Sequence, residues 1–255
     1  MNTSTQVRIE LASGLLAVTL ARPDKKNALT TQMYQALVEA FERASADPSI
    51  RVVLLDADGA DFCAGNDIAD FVAMARSAQP LDNSDVFRWL RVLASFDKPL
   101  VAAVRGRAVG IGTTLLLHCD LVYVAEDARF STPFVDLALV PEAASSLLLP
   151  ARIGHVRAFA LFALGETLDG RAAVDYGLAN AALPAGQVTP RARAAALTLA
   201  GKPAQAIQAT KKLMRDHGRM LGVIDAEARV FVERLMSPEA QTAFQAFMTR
   251  RAPGA

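Results

Sequence analysis

Two short, separate segments could together stabilise a developing negative charge. They are Phe62-Cys63-Ala64-Gly65-Asn66-Asp67-Ile68 and Gly106-Arg107-Ala108-Val109-Gly110-Ile111-Gly112. Each follows an apolar, β-branched run, Arg51 to Leu55 and Leu100 to Val104, and each opens a helix-like stretch. A strand-turn-helix of this kind leaves main-chain N–H groups pointing outward without a partner. Two of them, with no nucleophilic Ser or metal-ligand cluster alongside, predict a pair of backbone donors converging on one oxyanion. In the first turn the donor is the N–H of Asn66. Gly65 permits the tight backbone there, Phe62 and Ile68 anchor the turn in the core, and Asp67 caps the helix that follows. In the second turn Gly110 and Gly112 flank Ile111, whose N–H is reinforced by the positive end of a helix over Thr113 to His118.

A third segment, Leu139-Val140-Pro141-Glu142-Ala143-Ala144-Ser145-Ser146, carries a carboxylate behind a proline at the entry to an apolar helix. One reading is a helix-start Glu favoured by the dipole. The other is chemical. Glu142 has small and apolar residues on both sides and no Lys or Arg nearby in sequence, so a desolvated carboxyl there would hold its proton more tightly. That suits a general base that must also return the proton. Asp136 is another acid near it, in an irregular segment that gives its side chain no readable direction. His118 and His155 sit beside apolar helix residues and read as structural. His217 precedes a Gly at a helix end and reads as a C-terminal dipole partner.

These segments need elements to carry them. Val7 to Leu11 and Leu15 to Leu20 alternate around Ser13-Gly14 as a hairpin. Thr30 or Thr31 caps a helix with the face Met33, Leu37, Val38, Ala40 and Phe41, ended by Asp47-Pro48. Val52 to Leu55 is a strand, Ile68 to Ala75 helical, Gln79 to Ser84 a loop, and Val86 to Phe96 an amphipathic helix. Leu121 to Ala125 is a strand, and Phe130 to Val140 is apolar but broken by Pro133 and Asp136. Ala143 to Ile153 and Val156 to Leu164 are helical pieces divided by Gly154-His155. From Thr189 the pattern is helical, broken at Gly201-Lys202-Pro203, Asp216-His217-Gly218 and Ser237-Pro238. The order predicts an α/β core over residues 1–188 and an all-helical region over 189–255.

Composition bounds the function. The 255 residues are 52% hydrophobic, ample for a buried core, and 21% charged, which suits a water-facing surface. A net charge of +1 with dispersed Lys and Arg gives no footprint for nucleic acid. Arg105 and Arg107 interrupt the best apolar run, so no membrane span is expected. Two cysteines, Cys63 and Cys119, are too few for a disulfide framework and read as buried thiols of a reducing compartment. Met1 to Glu10 is polar without an apolar signal core. The expectation is a cytoplasmic protein.

The motifs resemble the crotonase superfamily of enoyl-CoA hydratases and isomerases. The resemblance runs from Arg22 to about Val188 through Arg22-Pro23, Asn27-Ala28-Leu29, the two turns, Cys119-Asp120, Phe130 to Ser146, and Gly165 to Gly177-Leu178. It implies an α/β fold built as a spiral of ββα units with a C-terminal all-helical region. It also implies an acyl-coenzyme A thioester as substrate, its carbonyl oxygen held between the N–H groups of Asn66 and Ile111. No cofactor is implied beyond the coenzyme A of the substrate itself. The remaining substrate contacts implied are Ala64 and Ile68, which match positions lining the adenine pocket, with Gly65, Asp67, Gly110, Thr114 and Phe134. Lys25 and Lys26 either meet the coenzyme A phosphates or are solvated lysines on an exposed turn, and Lys211-Lys212 on the tail helix either reach a neighbouring subunit's ligand or are likewise solvated. Trp89 packs either the acyl pocket or the core. Homotrimers, often paired into hexamers, are the implied assembly, with no nucleic-acid or membrane partner. The two glutamates with which hydratases activate water correspond to Thr114 and Phe134. Glu142 stands where peroxisomal-type Δ3,Δ2-enoyl-CoA isomerases have an acid, so the resemblance implies an isomerase of fatty acid or aromatic acid catabolism with Glu142 as its base; the alternatives are a hydratase on the same scaffold and a non-catalytic acyl-CoA-binding or assembly subunit.

Overall fold

The computed structural model describes residues 6–69 and 84–250. Strands β1 (Val7–Ala12) and β2 (Leu15–Leu20) pair antiparallel with Ala12 opposite Leu15, so Ser13 and Gly14 alone make the turn. Both have positive φ, 53° and 76°, the backbone hand that continues the strand twist into a two-residue hairpin. All six residues of β2 are buried. That is the pattern of an inner strand covered on both faces, and β2 continues into parallel pairing. The large sheet runs β1-β2-β3-β4-β6-β9, with β3 Val52–Ala57, β4 Leu100–Val104, β6 Leu121–Ala125 and β9 Ala181–Leu183. Every pairing after the hairpin is parallel. A second sheet holds β5 (Arg107–Val109), β7 (Arg129–Ser131) and β8 (Leu168–Asp169). Consecutive strands β4 and β5, and again β6 and β7, are thus split between the two sheets, and helical segments follow each pair.

The helix Thr31–Ala46 is capped by Thr30, whose hydroxyl accepts from the N–H of Met33 at 3.3 Å. Its buried face, Met33, Tyr34, Leu37, Val38 and Phe41, follows the helical period. Phe41 meets the edge of Trp89, on the helix Asp85–Ser95, at 4.7 Å between ring centroids. Trp89 is fully buried there, so it packs the core.

Several boundaries differ from the sequence reading. The helix after the second turn begins at Ile111, running Ile111–Thr114 and continuing as a 3-10 helix over Leu115–His118. The segment after β7 holds only a 3-10 turn at Val135–Leu137, on which Asp136 is exposed. The next helix starts at Ser145, because Ala143 and Ala144 are left-handed, with φ of 60° and 54°. A helix His155–Ala163 follows. Ile68 and Ala69 are helical; the rest of the helix expected to Ala75, and the loop expected from Gln79, lie outside the described residues.

The division at residue 188 falls inside the helix Ala185–Ala200, which packs across β3, β4 and β6. Helical periodicity marks an apolar face but does not say what it meets, and here it meets the sheet. The later helices also return to the core: His217–Leu235 packs on Asp85–Ser95 and Ser145–Ile153, and Pro238–Arg250 packs on the Val135–Leu137 turn. His217 is the first residue of its helix, behind the Asp216 cap, and faces Asp97 at 3.5 Å, so it is not a C-terminal dipole partner. Lys211 is buried, donating to Asp120 at 2.8 Å and to the carbonyl of Lys98 at 2.7 Å. Its ammonium is committed inside its own chain, and Lys212 pairs with Asp97 at 2.9 Å.

Candidate active site

Backbone pairing between the two turns creates the site. Phe62 and Cys63 donate their N–H groups to the carbonyl of Arg107, at 3.1 and 3.0 Å, and Val109 donates back to Cys63 at 2.9 Å. The contact is close enough that a Cβ on Gly112 would lie 2.6 Å from the Cys63 carbonyl oxygen. Only glycine fits at that approach. On its other side the first turn pairs with the segment after Asn27: Leu29 donates to Gly65 at 2.8 Å, and Asp67 donates to Leu29 at 2.8 Å. These bonds flank Asn66, whose own N–H points the opposite way. Gly110, with φ 55° and ψ −120°, reverses the chain so that Ile111 opens its helix with a free amide. Among the described residues, neither the Asn66 N–H nor the Ile111 N–H has a backbone acceptor.

Both residues line one cavity of about 860 Å³. Ala64, Gly65, Asp67, Ile68, Gly110 and Phe134 line it too, as do Lys25 and Lys26 at its exposed end. Phe134, Leu137, Leu139, Phe231 and Phe244 form an apolar portion, the last two supplied by the C-terminal helices. The cationic end is fixed from within. Asn27, fully buried, accepts from the N–H of Arg22 at 2.8 Å and donates to the carbonyls of Asp58 and Asp61 at 2.9 and 2.8 Å. The Asp67 carboxylate accepts from Arg22 at 2.7 Å and from the N–H of Ala69 at 3.1 Å, so it caps the helix start as expected and also holds Arg22. Arg22 and Arg107 are cavity cations that the sequence reading did not place in the site.

Glu142 retains 6% exposure and accepts a 2.5 Å hydrogen bond from the Thr114 hydroxyl. Burial pushes its carboxyl up to about 8; the Thr114 bond opposes that shift and the charge of Glu227 adds to it. Thr114 lies three residues beyond Ile111 on the same short helix, a separation of roughly one turn, about 5 Å along the axis. One helix therefore carries both the Ile111 amide and the hydroxyl that holds the acid. His118, on the same segment, has its pKa driven down to about 3 by burial, and its Nε2 lies 2.8 Å from the carbonyl of Ala143. A neutral ring facing a carbonyl must donate, so Nε2 carries the proton. Cys63 and Cys119 are free, buried thiols pushed up to about 12. Three contributors were not legible in sequence: Glu227, the His118 contact, and the Tyr34 hydroxyl that donates to the Asn66 side chain at 2.5 Å. Each depends on a contact between residues far apart in sequence, which carries no local signal. Among the described residues, no group of three or more His, Cys, Asp or Glu is arranged to hold a metal ion, and no helix is long and apolar enough to cross a membrane.

Residues 10–254 match the family described as Enoyl-CoA hydratase/isomerase. The chain belongs to that family. Enoyl-CoA delta isomerase 2 of Rattus norvegicus is 32% identical over 97% of this chain, which spans 64% of the rat protein's length. A probable enoyl-CoA hydratase of Rhodobacter capsulatus is also 32% identical, over 97% of this chain and 96% of that protein. Among solved structures, Pseudomonas aeruginosa OdaA superposes with a TM-score of 0.92 at 46% identity, covering 96% of this chain and 99% of that one. The fold is the crotonase fold, as the sequence implied. An enoyl-CoA hydratase/isomerase family enzyme acts on acyl-CoA, and relatives at equal identity carry both reaction names, so side chains must separate the two reactions.

Proposed function

We propose that this enzyme is a Δ3,Δ2-enoyl-CoA isomerase. The observation that supports it is the buried Glu142–Thr114 pair: one high-pKa carboxyl, with a hydroxyl and a phenyl ring (Thr114 and Phe134) where the hydratase resemblance has its two glutamates. In this reading the thioester oxygen sits between the N–H groups of Asn66 and Ile111, with the acyl chain against Phe134, Leu139 and Phe231. Ionised Glu142 takes the proton from C2 of a 3-enoyl thioester. The electrons shift to a dienolate whose oxygen carries the charge, where each backbone donor contributes about 3 kcal/mol. Protonated Glu142 then delivers that proton to C4, and the double bond moves into conjugation. Atoms balance without water, and no electron carrier enters. Lys25, Lys26, Arg22 and Arg107 meet the phosphates of coenzyme A, and assembly is as a homotrimer or a pair of trimers.

Product analysis with matched 3-enoyl and 2-enoyl thioesters tests the assignment. Hydration needs a held water and a second acid–base group, and the Phe134 ring disfavours a polar water site. Isomerisation should exceed hydration by at least about a hundredfold in kcat/KM, the scale of a lost acid–base group. Comparable rates from one preparation would restore the hydratase reading, with Glu142 activating water.

A further inference from the structure

The carboxylate of Glu227, on the helix His217–Leu235, is directed at the turn immediately after Glu142. Its Oε2 accepts from the N–H of Ala144 at 2.7 Å; its Oε1 accepts from the N–H of Ser146 at 2.9 Å and from the Ser146 hydroxyl at 2.5 Å. All three partners are donors, so the ionised carboxylate satisfies every contact. Glu227 is 8% exposed. The opposite side of the same turn is held by His118 on the carbonyl of Ala143. Between the two clamps lie Ala143 and Ala144, both left-handed, a conformation that consecutive L side chains keep only when their surroundings impose it.

We propose that Glu227 is a positioning residue for Glu142: by bridging Ala144 and Ser146 it holds the left-handed turn that seats the Glu142 carboxyl against Thr114. The inference rests on Glu142 being the base. It has an electrostatic corollary. The groups bearing on Glu142 are the neutral Thr114 hydroxyl, the Cys63 thiol, the neutral His118 ring behind Ala143, and Glu227. Of these only Glu227 can carry a like charge: burial raises its own pKa, the bonds from Ser146 and Ala144 oppose that shift, and its ionised form favours protonation of Glu142. The arrangement serves a group that must return the proton it takes.

The test uses the full chain labelled with ¹³C at Glu carboxyls, with the Glu142 signal assigned by its loss in Glu142→Gln. Titration midpoints are compared for wild type, Glu227→Gln and Glu227→Asp, alongside kcat and KM on a 3-enoyl-CoA. Glu227→Gln removes the charge and turns an amide NH₂ toward an N–H. It should cut kcat at least about tenfold with KM within about threefold, and lower the Glu142 midpoint. Glu227→Asp keeps the charge but is a methylene too short to bridge both amides. It should lower kcat and leave the midpoint in place. A Glu227→Gln enzyme with wild-type kcat and an unmoved midpoint overturns the proposal. If that variant does not fold, Glu227→Asp decides: lowered kcat at unchanged KM supports the clamp, and wild-type kcat refutes it. A wild type that does not isomerise, with the midpoint still falling in Glu227→Gln, removes the isomerase reading and keeps the coupling between Glu227 and Glu142.

Discussion

A carboxyl withdrawn from water, with one hydroxyl as its close donor, holds its proton to about pH 8 at Glu142. Desolvation dominates that shift, Thr114 moderates it, and Glu227 adds to it. Near neutrality such a group exists in both forms, which suits a base that becomes the acid of the next step. Replacing Glu142 with Gln keeps the shape and the Thr114 contact and removes the chemistry. We expect isomerisation by Glu142→Gln to fall about 10²- to 10⁴-fold in kcat. Affinity for a saturated acyl-CoA, measured by calorimetry, should stay within about threefold, because the contacts argued for coenzyme A are elsewhere. In the wild type, kcat/KM should rise with pH along a limb centred near 8, as the ionised fraction of Glu142 grows. More than a tenth of wild-type kcat in the Gln variant would move the base to another residue.

At the scale of elements, the two turns act through backbone, and proline and side-chain truncation therefore separate them. Asn66→Ala leaves the N–H in place and removes the side-chain oxygen that accepts from the Tyr34 hydroxyl. Ile111 is the first residue of its helix, a position where proline fits the backbone, so the substitution deletes the donor and also replaces a buried side chain that lines the cavity. Asn66→Ala should stay within about tenfold of wild-type kcat, while Ile111→Pro should lose about 10²- to 10³-fold, the cost of one oxyanion donor. Equal losses would assign the work to the Asn66 side chain. These turns were legible in sequence because glycine and β-branched runs mark them locally. So were the hairpin, the inner strands and the Thr30 cap. The start of the helix at Ser145 was not: two alanines adopt positive φ under contacts from Glu227 and His118, and no alanine announces that. Nor did the tail's periodicity reveal that Ala185–Ala200 lies on the sheet or that Phe231 and Phe244 close the cavity. Local pattern fixes an element's type, and long-range contacts fix what it faces.

For the whole molecule, burying Glu142 ties stability to pH. Its folded pKa, about 8, lies above the ordinary value of 4.5. Between those values the folded state binds more protons than the unfolded chain, so stability is fully present below about pH 4.5 and is lost as pH rises through 8. His118 has the opposite sign: its folded pKa of about 3 lies below 6.5, so its contribution is lost as pH falls from 6.5 toward 3. The two trends oppose each other in the mildly acidic range, and above pH 6.5 the Glu142 loss stands alone between them. The Gln side chain mimics the protonated acid at every pH. Glu142→Gln should therefore melt with the wild type near pH 5 and above it at pH 8, by at least about 2 °C if even 1 kcal/mol of the linkage survives relaxation. Paired thermal melts across pH 5 to 8, followed by circular dichroism, measure the widening gap. A gap that is constant with pH, or that narrows toward pH 8, would show Glu142 ionised and well solvated in the folded protein, and the high-pKa base would be lost with it.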